Sequence, residues 1–151
     1  MQHLISPEEF SAPVKEFASY KSSIQGCSEK TVQEYLLDLR TFFRFLLAKD
    51  RGINPESDEF LNIDVRGIDL AYLGSITTEQ VYEFLYYTGN VRKNLWCAKA
   101  RKLSSIKGLY KFLVSKRGYL EENPAVNIDS PKPKRTLPKV LSLDESVKLL
   151  V

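Results

Sequence analysis

The sequence predicts an all-α protein. Apolar residues recur at spacings of three and four along several segments, as they do on the buried face of a helix. Serine, threonine and glycine stand where these segments begin and end, and no segment alternates apolar and polar residues like a half-buried strand. With 151 residues, 43% of them hydrophobic, the chain is long enough for one core and short for two full domains.

The first two helices follow capping signals. Ser6-Pro7-Glu8-Glu9 predicts a helix start with Pro at the first position, and a helix over about 7–22 in which Pro13 is a possible early kink. Gln25-Gly26-Cys27 ends it. A second helix is predicted over about 29–50. Its apolar face consists of Val32, Tyr35, Leu36, Leu39, Phe43, Leu46 and Leu47.

The next part of the chain loses this periodicity. Gly and Pro interrupt an acidic stretch over residues 51–77, which we expect to be a long connection with a turn of helix or a short extended piece. Thr77 or Thr78 then caps a third helix that reaches about Thr88. Asn94 opens a fourth helix over about 94–117, and Gly118 stops it.

Four prolines within 15 residues, Pro124 to Pro138, forbid further helix after Gly118. We therefore divide the chain into a helical domain (1–120), a basic Pro-rich linker that runs extended (121–141) and the start of a further domain (142–151). The last division rests on Ser142-Leu143-Asp144-Glu145, a capping box that leads into apolar residues. We expect that this further domain continues beyond the chain.

Charge is segregated along the sequence. The formal net charge is +3, but residues 1–83 carry 8 basic and 14 acidic residues, whereas residues 84–120 carry nine basic residues and no acid. A basic block of this kind favours a polyanionic partner, because neutralised phosphates release condensed counterions. The alternative is a solvated, lysine-rich helix without a ligand.

Two predicted helices each carry a basic, hydroxyl-bearing strip suited to phosphates and base edges. On the second helix, residues 33, 40 and 44 fall within about 40° of one another, and on the fourth the main strip spans about 120°. The main candidates are Arg40, Arg44, Arg101, Ser104, Lys107 and Lys111; the next are Lys30, Gln33, Thr41 and Lys102; and Lys132, Lys134 and Arg135 are candidates for phosphate contacts from the linker. Arg40 and Arg44 could instead be solvated or paired with nearby acids. Trp96 is expected to pack rather than to stack on bases.

The sequence predicts no catalytic site, cofactor, metal or small-molecule ligand. Two cysteines and His3 are too few for a disulfide framework, a zinc cage or histidine-based catalysis. There is no Gly-rich phosphate loop, and none of the eight tyrosines has a histidine nearby. No run of 18 apolar residues and no leader-like start occurs, so we expect no membrane association and a cytoplasmic protein.

Three motifs resemble the tyrosine recombinase family of phage integrases and Xer-like proteins, and together they cover most of residues 28–151. The first is Ser28-x-x-Thr31-x-x-x-Tyr35-x-x-Asp38-Leu39-Arg40-x-Phe42-Phe43-x-Phe45-Leu46. The second is Ala100-Arg101-Lys102-Leu103-Ser104-Ser105-Ile106-Lys107-x-Leu109-Tyr110-Lys111-Phe112-Leu113. The third comprises Asn123-Pro124-Ala125, Pro131-Lys132 and Leu137-Pro138-Lys139-Val140-Leu141-Ser142.

The resemblance implies a core-binding domain, a SAM-like orthogonal bundle of four to five helices that grips one face of double-stranded DNA. In that family the helices matching 29–50 and 94–117 lie against the major groove, and other recombinase protomers assemble on the same DNA. Catalysis there uses a tyrosine and a 3′-phosphotyrosyl intermediate without metal or nucleotide. Those catalytic residues are expected in a domain outside this chain. The acidic connection, 51–77, is longer than usual for the family.

Two other functions fit the same sequence. One is a free-standing helical regulator that binds DNA without recombining it. The other is a protein-interaction bundle whose basic face binds an acidic partner. Salt-sensitive DNA binding would separate the last from the other two.

Overall fold

A computed structural model of the chain describes residues 5–90 and 96–129, which form a helical bundle without strands. Four helices have eight residues or more and two are short. The helices are Ala12–Ser19 (α1), Glu29–Arg51 (α2), Asp58–Leu61 (α3), Leu70–Ser75 (α4), Thr78–Asn90 (α5) and Trp96–Lys111 (α6). A 3₁₀ turn, Pro7–Glu9, precedes α1, and π-helical turns, Tyr20–Ile24 and Phe112–Lys116, extend α1 and α6. The all-α prediction is confirmed.

The predicted first helix is divided in two. Ser6 and Glu9 form the expected capping box, with the Ser6 hydroxyl accepting from the Glu8 amide at 3.1 Å and Glu9 accepting from the Ser6 amide at 3.2 Å. The turn that they cap ends at Phe10, whose extended backbone separates it from α1. Pro13 lies in the first turn of α1, where its missing N–H costs no hydrogen bond. Pro13 therefore helps to start a helix and does not kink one.

Helix α2 is the central element, and its predicted range of 29–50 is confirmed to within one residue. The Ser28 hydroxyl accepts from the Thr31 amide at 3.2 Å, and Gly52 ends the helix with a φ of 70°, a conformation that suits glycine. The buried face contains the predicted apolar positions except Tyr35, which is partly buried, and adds Phe42 and Phe45. Phe42 meets Phe84 of α5 with ring centroids 5.0 Å apart.

Residues 51–77 are more structured than expected. Ser57 and Asp69 cap two short helices, α3 and α4, by accepting from the backbone amides of Phe60 and Tyr72. The segment also adds buried apolar side chains to the core, namely Phe60, Ile63, Val65, Ile68, Leu73 and Ile76. Helices this short need tertiary packing for stability, which local periodicity does not reveal.

The predicted start of the fourth helix at Asn94 lies outside the described residues, but its end agrees with the structure. Gly118, with a φ of 64°, follows the last turn, and the Tyr119 amide donates to the Leu113 carbonyl at 2.8 Å.

The chain then stays on the bundle. The Thr78 hydroxyl donates to the Pro124 carbonyl at 2.7 Å, and Ala125 and Ile128 are buried. Residues 121–129, predicted as the beginning of an extended linker, are thus packed against helical residues. Residues 130–151, including the candidates Lys132, Lys134 and Arg135, lie outside the described part of the chain.

Candidate nucleic-acid interface

Helix α6 carries a stripe of polar and basic side chains that we call the α6 stripe. Its members are Arg101, Ser104, Lys107 and Lys111, together with Ser115 of the π-helical turn that extends α6. All are exposed except Lys107, which is partly exposed. Among the described residues, no carboxylate lies within ion-pair distance of Lys107 or Lys111. These two ammonium groups, one helical turn apart, are available to an external anion.

The opposite side of α6 explains why the stripe faces outward. Leu103, Ile106, Leu109 and Tyr110 are fully buried and recur at spacings of three and four. The Tyr110 hydroxyl donates to the Leu73 carbonyl at 2.6 Å, and burial raises the pKa of this phenol, so it remains a neutral donor. A helix held on one face by these contacts must present the remaining arc to solvent.

Arg101 is held at the edge of the stripe by Asp38 of α2. The Nε and Nη2 atoms of Arg101 donate to the two carboxylate oxygens of Asp38, each at 3.0 Å. These hydrogen bonds raise the pKa of the guanidinium. The Asp38 side chain is 2% exposed and the Arg101 side chain 47% exposed. Arg101 is therefore anchored on one edge and solvated on the other.

Lys102, a candidate for DNA contact, is buried and does not lie on the exposed face of α6. Its side chain is only 9% exposed, and its Nζ lies 3.3 Å from Asp38 Oδ1. Ser105 is also buried, and its hydroxyl donates to Asp38 Oδ2 at 3.0 Å. One buried carboxylate thus receives hydrogen bonds from three residues of α6.

The two candidate arginines of α2 have partners inside the protein. Arg40 forms an ion pair with Glu9 at 2.8 Å, and Arg44 Nε donates to the Ile63 carbonyl at 3.1 Å. Burial, together with repulsion from Arg40, lowers the pKa of Arg44. Both arginines line an open groove of about 450 Å³ that also contains Glu8, Glu9 and Asp64. This groove has mixed charge, unlike the α6 stripe.

The remaining candidates of α2 divide into bonded and exposed residues. The Gln33 amide accepts from the Ile5 amide at 2.9 Å and donates to the Ile5 carbonyl at 2.6 Å. The Thr41 hydroxyl donates to the Leu37 carbonyl of its own helix at 3.1 Å. Lys30 is exposed near the start of the helix. Gln33 therefore secures the N-terminal segment, and Lys30 is the exposed cation of this group.

The surface around the stripe has two further features. Lys107 and Lys111 line one side of an open groove of about 790 Å³, and Glu121 and Glu122 lie on the segment that forms its other side. Trp96, predicted to pack, is instead 47% exposed, because it occupies the first turn of α6 ahead of the buried positions. The stripe thus has an aromatic side chain near one end and acidic residues near the other.

Asp38 is the residue that sequence reasoning missed. It is not among the predicted site residues, although Phe42 and Phe45 follow it at spacings of four and seven residues. That spacing places Asp38 on the same arc as two buried rings, which is an unusual place for an unpaired carboxylate. The pattern was available in the sequence, but the partners, more than 60 residues away, were not.

The described segments contain neither a membrane-spanning helix nor a metal-binding cluster. No helix of the described segments is both long and apolar enough to span a membrane. Within the same segments, no three His, Cys, Asp or Glu side chains are grouped so that they could hold a metal ion.

Comparison with curated proteins finds tyrosine recombinases. The chain is 35% identical over 137 residues to tyrosine recombinase XerC of Caldanaerobacter subterraneus subsp. tengcongensis and 31% identical over 137 residues to XerC of Myxococcus xanthus. It is 28% identical over 139 residues to tyrosine recombinase XerD of Rhizobium meliloti. These alignments cover 91–92% of this chain and 38% of each relative.

The other two comparisons are negative: no family model and no solved structure matches the chain. The chain spans about two fifths of the length of the curated relatives that it matches. The sequence similarity nevertheless extends over nearly the whole chain, in agreement with the motifs between residues 28 and 142, and the curated homologues of the chain are tyrosine recombinases.

Proposed function

We propose that this chain is the DNA-gripping part of a tyrosine site-specific recombinase. In this proposal it holds one recombination half-site on double-stranded DNA and helps other recombinase protomers to assemble there, in the cytoplasm. DNA breakage and rejoining through a 3′-phosphotyrosyl intermediate are assigned to a catalytic domain, and none of those steps to residues of this chain. The observation that carries the proposal is the exposed α6 stripe.

The stripe suits a DNA backbone because two of its cations, Lys107 and Lys111, have no ion-pair partner among the described residues. Lys107 and Lys111 would each neutralise one phosphate and release condensed counterions. Ser104, on the same face, can donate to a phosphate or to a base edge. A helix of this width fits the major groove, where one side of it faces the bases and both flanks face phosphates.

The other candidates take different parts in the proposal. Lys30 and Thr41 are assigned secondary contacts from the exposed side of α2, and Lys132, Lys134 and Arg135 remain candidates for phosphate contacts. Arg40, Arg44, Gln33 and Lys102 are assigned structural parts, because each forms at least one side-chain hydrogen bond within the protein. The proposed interface is therefore centred on α6.

Fluorescence anisotropy with a labelled random-sequence duplex tests this proposal at several salt concentrations. The wild-type chain is expected to bind with a linear fall of log affinity against log salt concentration. The double variant Lys107→Ala/Lys111→Ala should reduce the magnitude of that slope by roughly 1.8, since each lost phosphate contact removes about 0.9. A chain that does not bind at the lowest salt concentration would overturn the proposal.

A matched control separates the α6 stripe from net charge. Lys15→Ala/Lys49→Ala removes the same two charges from exposed ion pairs on α1 and α2. These pairs contribute little to stability, so the variant should fold and bind with an unchanged slope. Equal losses in the two double variants would mean that net charge, and not the α6 stripe, determines binding.

The assembly part of the proposal has its own measurement. Sedimentation of the chain on duplexes long enough for one and for two protomers should show that the second protomer binds more tightly than the first. Independent binding of two protomers would restrict the proposal to DNA gripping alone.

A further inference from the structure

The buried carboxylate of Asp38 stands at the junction of α2 with the α6 stripe. A carboxylate taken out of water is costly unless several donors compensate it. Asp38 has Arg101, Lys102 and Ser105 as donors, and all three belong to α6. These hydrogen bonds hold α2 and α6 together. Contact between the helices does not by itself explain why one of the donors, Arg101, is about half exposed.

The orientation of Arg101 is the informative part of this cluster. A guanidinium has five N–H donors and two edges that can each bind a pair of oxygens. Asp38 occupies the edge made by Nε and Nη2. The outer edge, made by Nη1 and the second hydrogen of Nη2, can donate two further hydrogen bonds to a second pair of oxygens. Since the side chain is 47% exposed, this edge is accessible to a partner from outside the protein.

Lys102 supplies the charge that makes such a partner favourable. A carboxylate paired with Arg101 alone would leave a neutral pair with little attraction for an anion. Lys102 Nζ, 3.3 Å from the same carboxylate, restores one net positive charge to this three-residue cluster while remaining buried. The Glu34 carboxylate also attracts Arg101, but from beyond ion-pair distance. The cluster therefore presents a fixed, cationic fork at the surface.

We propose that Asp38 is a positioning residue that orients Arg101 to bind a DNA backbone phosphate through its outer edge, with Lys102 compensating the carboxylate. The inference rests on the proposed DNA-binding function and deepens it. A planar fork held in place loses little rotamer freedom on binding, so the contact is stronger than that of a free lysine.

A charge-balanced variant tests this inference without leaving a buried ion alone. Asp38→Asn/Lys102→Met removes one negative and one positive charge, so the net charge of the chain is unchanged. We expect about tenfold weaker binding to the random duplex, because Arg101 loses its ionic anchor. The control Glu83→Gln/Lys49→Met removes an exposed pair, separated by 3.6 Å, and should bind like the wild type.

A double-mutant cycle identifies the route of the effect. In an Arg101→Ala background, Asp38→Asn/Lys102→Met should weaken DNA binding no further, because the residue through which it acts is gone. Losses that add on the free-energy scale would overturn the inference and leave Asp38 a structural residue only. Cooperative thermal unfolding of each variant shows that the folded state is being compared.

Arg101→Lys tests the fork itself while it keeps a cation beside the Asp38 carboxylate, and thermal unfolding of the variant checks that it folds. It keeps the charge and loses the two-edged geometry. Binding should weaken several-fold with an unchanged salt slope, whereas a lysine variant that binds as tightly as the wild type would overturn the inference.

The two proposals fail in different ways. Absence of binding by the wild-type chain overturns the DNA-gripping function. Binding that depends on Lys107 and Lys111 but shows additive losses for Asp38 and Arg101 overturns only the positioning inference.

Discussion

Helices α2 and α6 both carry pairs of basic residues one turn apart, and the structure treats the two pairs in opposite ways. Arg40 and Arg44 of α2 are bonded to Glu9 and to the Ile63 carbonyl. Lys107 and Lys111 of α6 have no ion-pair partner among the described residues. The same local pattern therefore stabilises the fold in one helix and leaves charge available for a ligand in the other.

The difference shows that the residues packed beside a basic strip determine whether its cations are available to a ligand. The acidic N-terminal segment and the Ile63 region lie over one side of α2 and supply acceptors for its arginines. The residues from Phe84 to Leu120 include no acid, so α6 has no such acceptor within its own part of the chain. The Asp38 carboxylate that pairs with Arg101 and Lys102 comes from α2.

The largest effect on the free energy of unfolding is expected at Asp38, the carboxylate of α2 that binds cations of α6. Asp38→Ala should lower the free energy of unfolding by about 3–5 kcal/mol, because it leaves Lys102 buried without its carboxylate. Urea denaturation measures the loss. Glu34→Ala, one turn earlier on a partly exposed position, should change stability by about 0.5 kcal/mol or less. A similar loss for both variants would contradict the assigned role of the buried carboxylate.

A smaller effect is expected from the bonded arginines. Arg40→Ala/Arg44→Ala should lower the free energy of unfolding by about 2–4 kcal/mol, since it removes a partly buried ion pair and a charged hydrogen bond to a carbonyl. The salt slope of DNA binding should stay that of the wild type. A slope reduced as strongly as in Lys107→Ala/Lys111→Ala would break the comparison, because it would place both pairs on DNA.

The Gln33 side chain tests how the N-terminal segment is held over α2. Gln33→Ala removes two hydrogen bonds to the Ile5 backbone and should cost about 1 kcal/mol. Amide hydrogen exchange should show faster exchange at Ile5. Thr41→Ala, whose hydroxyl bonds only within its own helix, is the control and should leave Ile5 exchange unchanged. Equal protection of Ile5 in both variants would show that other contacts hold the segment.

The smallest effect on stability is expected from the lysines of the α6 stripe. Lys107→Ala/Lys111→Ala should change the free energy of unfolding by about 0.5 kcal/mol or less, because no described partner is lost and alanine favours helix. Thermal unfolding checks this. A loss of more than about 2 kcal/mol would mean that these lysines serve the fold, like the arginines of α2.

Much of the fold could be predicted because its long helices are locally encoded. Ser28, Gly52 and Gly118 are capping signals that act within a few residues, and the buried face of α2 follows helical spacing. Helices α3 and α4 were not predicted as such, since four and six residues give too little periodicity and their stability comes from burial of Phe60 and Leu73.

The candidate site could be predicted only in part. Ser104, Lys107 and Lys111 follow from helical geometry and the absence of nearby acids in sequence. The partners of Arg40, Arg44 and Lys102 come from residues 19 to 64 positions away, so no local pattern could distinguish these cations from available ones. Long-range pairing, and not helix assignment, limits what the sequence tells about this interface.

Helix α1 packs against the π-helical turn Phe112–Lys116 and the residues that follow it. Phe17 and Tyr20 meet the ring of Phe112 at centroid distances of 5.8 and 5.0 Å, and the Tyr119 hydroxyl donates to Glu16 across 103 positions of sequence. During synthesis, α1 leaves the ribosome about 90 residues before these partners, which at 5–20 residues per second amounts to roughly 5–20 seconds. Phe17 can meet Tyr35 of α2 much earlier, at a centroid distance of 6.0 Å, so docking of α1 during synthesis proceeds in two stages. The contacts with Phe112 and Tyr119 form in the second, late stage.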